Sequence, residues 1–335
     1  MKQLLKLSAA SLLVVGALSV QASTLGDVQA KGYVSCGVSK GLAGFSSADS
    51  SGTWTGVDVD VCRAVAAATL GDAQKVKFVP LTAKERFTAL QSGEIDMLSR
   101  NTTWTITRDA SLGLNFAGVN YYDGQGFMVK SSLGVSSAME LSGAAVCIQA
   151  GTTTELNLAD WGKANGIEYN SVVSDTNAQT LTNYDAGRCD VLTTDASGLY
   201  SMRAAASDPS EHVVLPEIIS KEPLGPVVRQ GDDQWFNIVR WSLNAMITAE
   251  ELGVTSATVD DVSNNPERER LMGRSGSTHE YVGLTPDWTY QIVKQVGNYS
   301  ESFERNIGIN TPIGIARGVN ALWTDGGILY SPPFR

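Results

Sequence analysis

Apolar and polar positions along the chain switch between a period near two and a period near 3.6, the signature of alternating strands and helices. Tyr33–Val38 is a short β-rich run ended by Gly37 and Gly41, and Trp54–Gly56 reads as a turn. From Val57 to Leu70, Val57, Val61, Ala64, Val65 and Ala68 recur at helical spacing, and Gly71 stops the helix. Val76–Leu81 is a predicted strand. Lys84–Gln91 is a predicted helix with Phe87 and Leu90 inward, closed by Gly93, and Ile95–Ser99 is the next strand. The series restarts at Ala145–Gln149, a strand followed by a helix over Thr152–Asn165 that Gly166 stops. Ile167–Val173 (strand), Asn177–Asp185 (helix, closed by Gly187), Asp190–Thr194 (strand) and Ala196–Ala206 (helix) complete it. A short echo links the two halves: Gly93-Glu-Ile-Asp-Met-Leu98 and Gly187-Arg-Cys-Asp-Val-Leu192.

This order predicts an α/β protein of two lobes, each a mostly parallel sheet flanked by helices. Ligands of such sheets bind beyond the carboxyl ends of the strands. Phe127–Lys130 is expected to carry the chain from the first lobe to the second. Glu222–Val228 is expected to carry it back, stiffened by Pro223, Gly225 and Pro226. The expected division is therefore 23–127 for the first lobe, 128–225 for the second, and 226–335 for a return to the first lobe with a C-terminal helical extension. Helices are predicted there over Trp235–Glu250 and Asp287–Tyr299.

The N-terminus adds a compartment. Lys2 and Lys6, the apolar run Leu12–Val20 and the small residues Val20 and Ala22 form a secretory signal peptide over 1–22, cut after Ala22. The run falls short of the roughly 20 residues that span a bilayer. No lipobox cysteine follows, so a soluble periplasmic protein is expected. Loss of Lys2 and Lys6 takes the formal net charge from −10 to −12, which argues against nucleic acid as a partner. Four cysteines in an exported chain favour disulfides. Their spacing leaves three pairings open, and the two-lobed topology favours Cys36–Cys62 and Cys147–Cys189, one within each lobe. Zinc is disfavoured, because there is no CxxC and His212 and His279 are far apart. Both histidines read as surface or loop residues, and the sequence calls for no metal or cofactor.

Three strand ends carry candidate chemistry. Arg100–Arg108 (RNTTWTITR) is mostly hydrogen-bond donors, and Arg108 offers a fork suited to a carboxylate. Ala150–Glu155 (AGTTTE) opens a helix, whose first N–H groups attract an anion. Thr152 and Glu155 also have the spacing of a capping box. Asp195 ends the strand that closes the second series; it suits a ligand ammonium, but taken alone it reads first as a helix N-cap, the commoner use of such an acid. A cationic fork, an anion-accepting helix start and a carboxylate together describe a host for an α-amino acid.

At this point the chain resembles the periplasmic solute-binding proteins of polar amino-acid ABC transporters, in particular their general L-amino-acid-binding subgroup. The motifs that carry the resemblance are CGVSKGLAGFS (Cys36–Ser46), SRNTTWTITRD (Ser99–Asp109), YYDGQGFMV (Tyr121–Val129) and the terminal PPFR (Pro332–Arg335). The resemblance covers essentially the whole chain after the signal peptide. It implies a type II fold whose two lobes close around the ligand. It also implies a carboxylate-binding Arg108, a hydroxyl partner at Thr103, a loop contact to the amino group at Asn101, a carboxylate-binding helix start at Gly151, Thr152 and Thr153, and an ammonium-binding Asp195. Phe45 is the expected aromatic ring over the ligand, with Trp54 behind it. The tail after residue 260 departs from smaller relatives. The expected function is capture of free L-amino acids with broad specificity and delivery to an inner-membrane ABC permease, as a monomer. The alternatives are an enzyme on the same fold, such as a dehydratase, and a receptor narrow for glutamate and glutamine. The sequence lacks a Ser/His/Asp or Cys/His nucleophile pattern, which disfavours the enzyme.

Overall fold

Val34, Cys36 and Val38 are fully enclosed, and so is the rest of their strand, β1 (Val34–Ser39). Burial on both faces marks the middle of a helix-covered sheet. The computed structural model describes residues 23–335, so the predicted signal peptide lies outside the described residues. After α1 (Thr24–Lys31) and β1 come the short β2 (Ser47–Ala48) and β3 (Trp54–Thr55), then α2 (Val57–Leu70), β4 (Val76–Leu81), α3 (Arg86–Ser92), β5 (Met97–Leu98) and β6 (Leu114–Phe116). The second series is β7 (Tyr121–Asp123), β8 (Gln125–Lys130), β9 (Ala145–Gln149), α4 (Thr153–Asn165), β10 (Asn170–Ser174), α5 (Asn177–Asp185), β11 (Val191–Asp195), α6 (Ala196–Ala205) and β12 (His212–Val214). The chain then returns through β13 (Glu222–Leu224) and β14 (Val227–Arg229). It ends in α7 (Asp233–Glu251), α8 (Pro266–Leu271), α9 (Thr278–Val282), α10 (Trp288–Val296), α11 (Tyr299–Asn306) and an irregular tail.

The two main sheets have matching order, β4-β1-β5-β14-β6 and β10-β9-β11-β8-β12. In each, the strand that has just crossed from the other sheet, β14 or β8, runs antiparallel to its neighbours. The sequence echo has a physical basis in this symmetry. Asp96 donates its N–H to Ser35 O while its carboxylate accepts from Ser35 N (2.6 Å). Asp190 does the same at Ala145, its carboxylate 2.9 Å from the N–H. Each aspartate closes a ring at the start of a central strand.

The first crossing differs from the expectation. Phe127, Met128 and Val129 are enclosed, and all of β8 pairs within the second sheet. The crossing is β7, paired antiparallel with β13, so the change of sheet falls between Asp123 and Gln125 and the expected boundary at 127/128 lies inside a strand. The returning strand is β13, which starts at Glu222. The helix predicted over Asp287–Tyr299 is broken: Gly297 adopts φ 93°, and Asn298 and Glu301 form a capping box that starts α11. Strand β10 begins later than predicted because the Ile167 N–H bonds back to Gly162 O and closes α4. His212 is buried in β12, with Tyr184 Oη 3.2 Å from its Nδ1, and is not a surface residue.

Cys36–Cys62 joins β1 to α2, and Cys147–Cys189 joins β9 to the segment after α5. Loops of these lengths correspond to about 3–4 kcal/mol of stabilisation each. The C-terminal extension packs on the first sheet's side: α10 lies against α2 and α7, and Phe334 meets Trp241 at 4.9 Å and Trp288 at 6.2 Å. It also reaches the crossing. The Asn320 side chain accepts from Tyr122 N (2.7 Å) and donates to Tyr122 O (3.0 Å). Tyr299 Oη donates to Asn120 O at 2.7 Å, just before β7.

Candidate binding site

The loop after β5 is held from below by Asp58, in the first turn of α2. Its carboxylate accepts from Ser99 Oγ (3.1 Å), Asn101 N (2.7 Å) and Asn120 Nδ2 (3.0 Å). Burial raises the pKa of Asp58, and these donors together with Arg100 pull it back. Asn101 adopts φ 31°, the one positive φ outside glycine among the described residues, a conformation that asparagine tolerates. Its Oδ1 is buried without a hydrogen-bond partner. The next residues line up with the returning strand: Thr103 bridges Leu224, and Trp104 N donates to Pro223 O at 2.8 Å.

Arg108 follows in a single wide helical turn, Thr107–Ser111. It is 8% exposed, donates through Nη1 to Thr103 O (2.9 Å), and lies over the Phe87 ring at 5.2 Å. Burial lowers its pKa, against the pull of Glu222 and Asp195.

On the other side of the cleft, the predicted capping box at Thr152 does not form. Thr152 Oγ1 donates to Gln149 O (2.7 Å), and Glu155 Oε2 accepts from Gly151 N (2.7 Å). Side-chain capping is therefore missing from the first turn of α4, which leaves the helix start to attract an anion. The Gly151 N–H, expected to bind a carboxylate, is held by Glu155. Thr153 Oγ1 lies 3.3 Å from Thr103 Oγ1, so the two faces touch. Lys84 Nζ to Asp175 Oδ1 (2.8 Å) and Ser201 Oγ to Ala43 O (2.8 Å) are further contacts between them.

Asp195 stands at the N-terminus of α6 and makes no capping bond. That task falls to Asp123 of β7, which accepts from the Ser197 hydroxyl and from Ser197 N (3.4 Å). Asp195 is thereby spared for the cleft. Burial, then the charges of Asp123 and Glu222, push its carboxyl well above the usual range, while Arg86 and the Asn101 amide oppose them. Asp123 is pushed up to about 6, again chiefly by burial.

Two residues of the site were not singled out from the sequence. Arg86, on α3, is 2% exposed; its Nη1 reaches Thr102 Oγ1 at 3.3 Å and its Nε has no partner. Burial, then Arg108 and Arg100, depress its pKa well below the arginine range, and Asp195 and Glu222 resist. Glu222, at the start of β13, is equally buried and accepts four hydrogen bonds. Arg86 was hidden in a helix read for Phe87 and Leu90, and Glu222 in a connector read for its prolines. The two expected aromatic residues are not stacked one behind the other. Phe45 is fully enclosed, edge-on to Tyr121 of β7 at 5.5 Å, whereas Trp54 packs on Phe78 at 5.6 Å rather than behind Phe45.

Two matching lobes, a paired crossing and opposed charges at strand ends are now in place, and comparison with known proteins decides the family. The sequence profile of the bacterial extracellular solute-binding proteins, family 3, matches residues 34–258. The chain belongs to this family. Its relatives include the general L-amino acid-binding periplasmic protein AapJ of Rhizobium johnstonii, 61% identical over 97% of this chain and 97% of that protein. The glutamate/glutamine/aspartate/asparagine-binding protein BztA of Rhodobacter capsulatus is 56% identical over 96% of each. Among solved structures, an ABC transporter periplasmic binding protein from Brucella ovis with glutathione bound superposes with a TM-score of 0.92, at 57% identity, covering 94% of this chain and 100% of that one. The fold of this solute-binding protein is the type II periplasmic binding fold. Its α8–α11 and tail lie beyond the residues that the family profile matches.

Proposed function

We propose that this solute-binding protein is a periplasmic receptor that takes free L-amino acids between its lobes, closes over them and delivers them to an ABC permease. The observation that carries the reading is the opposition of buried cations and a buried acid across the lobes: Asp195 lies near enough to sustain the charge of Arg108, and Arg86 near enough to sustain that of Asp195. The ligand carboxylate would meet the Arg108 guanidinium and the uncapped start of α4 at Thr152 and Thr153. The ammonium would meet Asp195, the unpartnered Oδ1 of Asn101 and Thr103 Oγ1. A cation beside Asp195 lowers its pKa, so ligand binding itself ionises the group. Gly151 acts as the turn before α4, and Phe45, through Tyr121, backs the apolar side of the cleft. Arg86, with its spare Nε, is positioned for an acid or amide side chain, the classes named for BztA. AapJ's name supports breadth. The receptor acts as a monomer without turning its ligand over.

A second reading follows from the Brucella ovis protein. Glutathione ends in a γ-glutamyl group that keeps a free α-carboxylate and α-ammonium, so the same clamp would hold it. Blocked ligands test both readings: L-glutamine against N-acetyl-L-glutamine and L-glutamine amide, with glutathione beside them, by titration calorimetry. The clamp predicts binding of L-glutamine and loss of binding for both blocked forms. Equal affinity for the acetylated form would remove Asp195 from the ammonium role. Glutathione binding with silence from free amino acids would establish the second reading.

A further inference from the structure

Glu222 is the most fully bonded acid in the cleft, and the proposed clamp gives it no ligand contact. It sits on β13, one of the two crossing strands. Its Oε2 accepts from Thr103 Oγ1 at 2.5 Å and Thr153 Oγ1 at 3.0 Å. Its Oε1 accepts from Asn157 Nδ2 at 2.6 Å and Ser220 Oγ at 2.7 Å. Thr103 belongs to the first lobe, Thr153 and Asn157 to α4 of the second, and Ser220 to the connector itself. A carboxylate on the pivot is thus solvated by groups from both lobes. Parting the lobes withdraws Thr153 and Asn157, and charge-assisted hydrogen bonds of this kind are about twice as strong as neutral ones.

The bonds also set a polarity. A threonine hydroxyl has one proton. With the protons of Thr103 and Thr153 committed to Glu222, both oxygens turn only lone pairs toward other neighbours: Thr103 Oγ1 then has the polarity that an ammonium requires, and Thr153 meets a carboxylate only through its backbone N–H.

We infer that Glu222 is a latch: a pivot carboxylate that stabilises the closed arrangement of the lobes in the absence of ligand and aims the Thr103 and Thr153 hydroxyls. It is a positioning residue that acts through its neighbours. Its effect on affinity rests on the amino-acid reading; its effect on closure does not. Because apparent affinity scales with the competent fraction, the latch acts on all ligands by the same factor.

The test measures closure without ligand. Spin labels on Lys77→Cys, on the first lobe, and Lys163→Cys, on the second, report the distance between lobes by pulsed electron resonance in protein stripped of ligand. Glu222→Gln keeps the shape but turns one acceptor oxygen into a donor against the groups that now donate to it. The closed fraction should fall about fivefold or more, the change that loss of one net hydrogen bond implies. Affinity for every bound amino acid should fall by a common factor. Asn157→Ala removes only the second-lobe arm at a half-buried position, and should shift both readouts the same way by less. An unchanged distance distribution in both variants would overturn the latch. So would an affinity loss confined to one side-chain class, which would make Glu222 a side-chain contact. The distance measurement stands even if the ligand proves not to be an amino acid. If Glu222→Gln does not fold, Asn157→Ala decides alone.

Discussion

The two faces of the cleft share a topology and carry opposite charge. The first sheet's face presents three buried guanidiniums, those of Arg86, Arg100 and Arg108, of which Arg100 is answered locally by Asp58. The second face and the crossing strands present Asp195, Asp123 and Glu222. The cations lie on a helix start, one loop and the helical turn after it, and Arg100 and Arg108 are fixed by bonds to the backbone carbonyls of Leu81 and Thr103. The acids lie at a strand end and on the pivot, and burial presses Asp195 and Asp123 toward their neutral forms. One face is therefore preformed, and the other depends on what closes against it. A zwitterion suits this difference, because it answers both faces and adds no net charge.

Breaking the preformed face should have the largest effect. Arg108→Ala removes the proposed carboxylate contact and should cost at least about 100-fold in affinity for every ligand, since truncating one partner of a buried charge pair typically costs 2–5 kcal/mol. Calorimetry checks this, and a loss limited to one side-chain class would contradict it.

The acidic face should respond more gently and in two opposed ways. Asp195→Asn should weaken all ligands by about 10-fold or more, as expected for a charge-assisted bond. The same change should stabilise the ligand-free protein at neutral pH. The folded-state pKa of Asp195 lies above its unfolded value, so the folded protein binds more protons over that interval and loses stability as pH rises through it. Asparagine removes that loss, and thermal unfolding against pH should show a flatter alkaline side for the variant. Wild-type affinity, by contrast, should rise with pH as Asp195 ionises, and an affinity that falls over that range would contradict its role.

Arg86→Ala sharpens the comparison within one face. It should weaken acid and amide side chains by about 10-fold while leaving aliphatic ligands nearly unchanged, because only the former can use its spare donors. The smallest effect is expected outside the cleft. Asn320→Ala removes the two bonds to Tyr122 and should cost about 1–2 kcal/mol of stability, measured by denaturant unfolding.

Much of this was legible from local pattern. Helices α2 and α5 and strands β4 and β9 have the bounds that periodicity and glycine stops predicted. Arg108 and Asp195 drew attention because strand ends in an α/β sheet are where ligands bind, and Thr103 only through the family resemblance. The crossing was misplaced because Tyr121–Val129 is one extended stretch, and only pairing with β13 or β11 separates its two parts. The break at Gly297 was available in the Asn298–Glu301 spacing, which a continuous apolar pattern outweighed. Arg86 and Glu222 had no local signal. The meaning of a buried charge lies in its partners, and those of Glu222 are 119 and 69 residues away, at Thr103 and Thr153. Likewise, Asp195 looked like a helix cap until the fold showed Asp123 doing the capping.

The central claim is that both lobes together read the α-amino and α-carboxyl groups of a free amino acid. Calorimetric titration of the protein, unfolded and refolded to remove carried ligand, against acidic, amide, aliphatic and basic L-amino acids tests it directly. One-to-one binding across several of these classes is the predicted result, and no heat from any of them would contradict it.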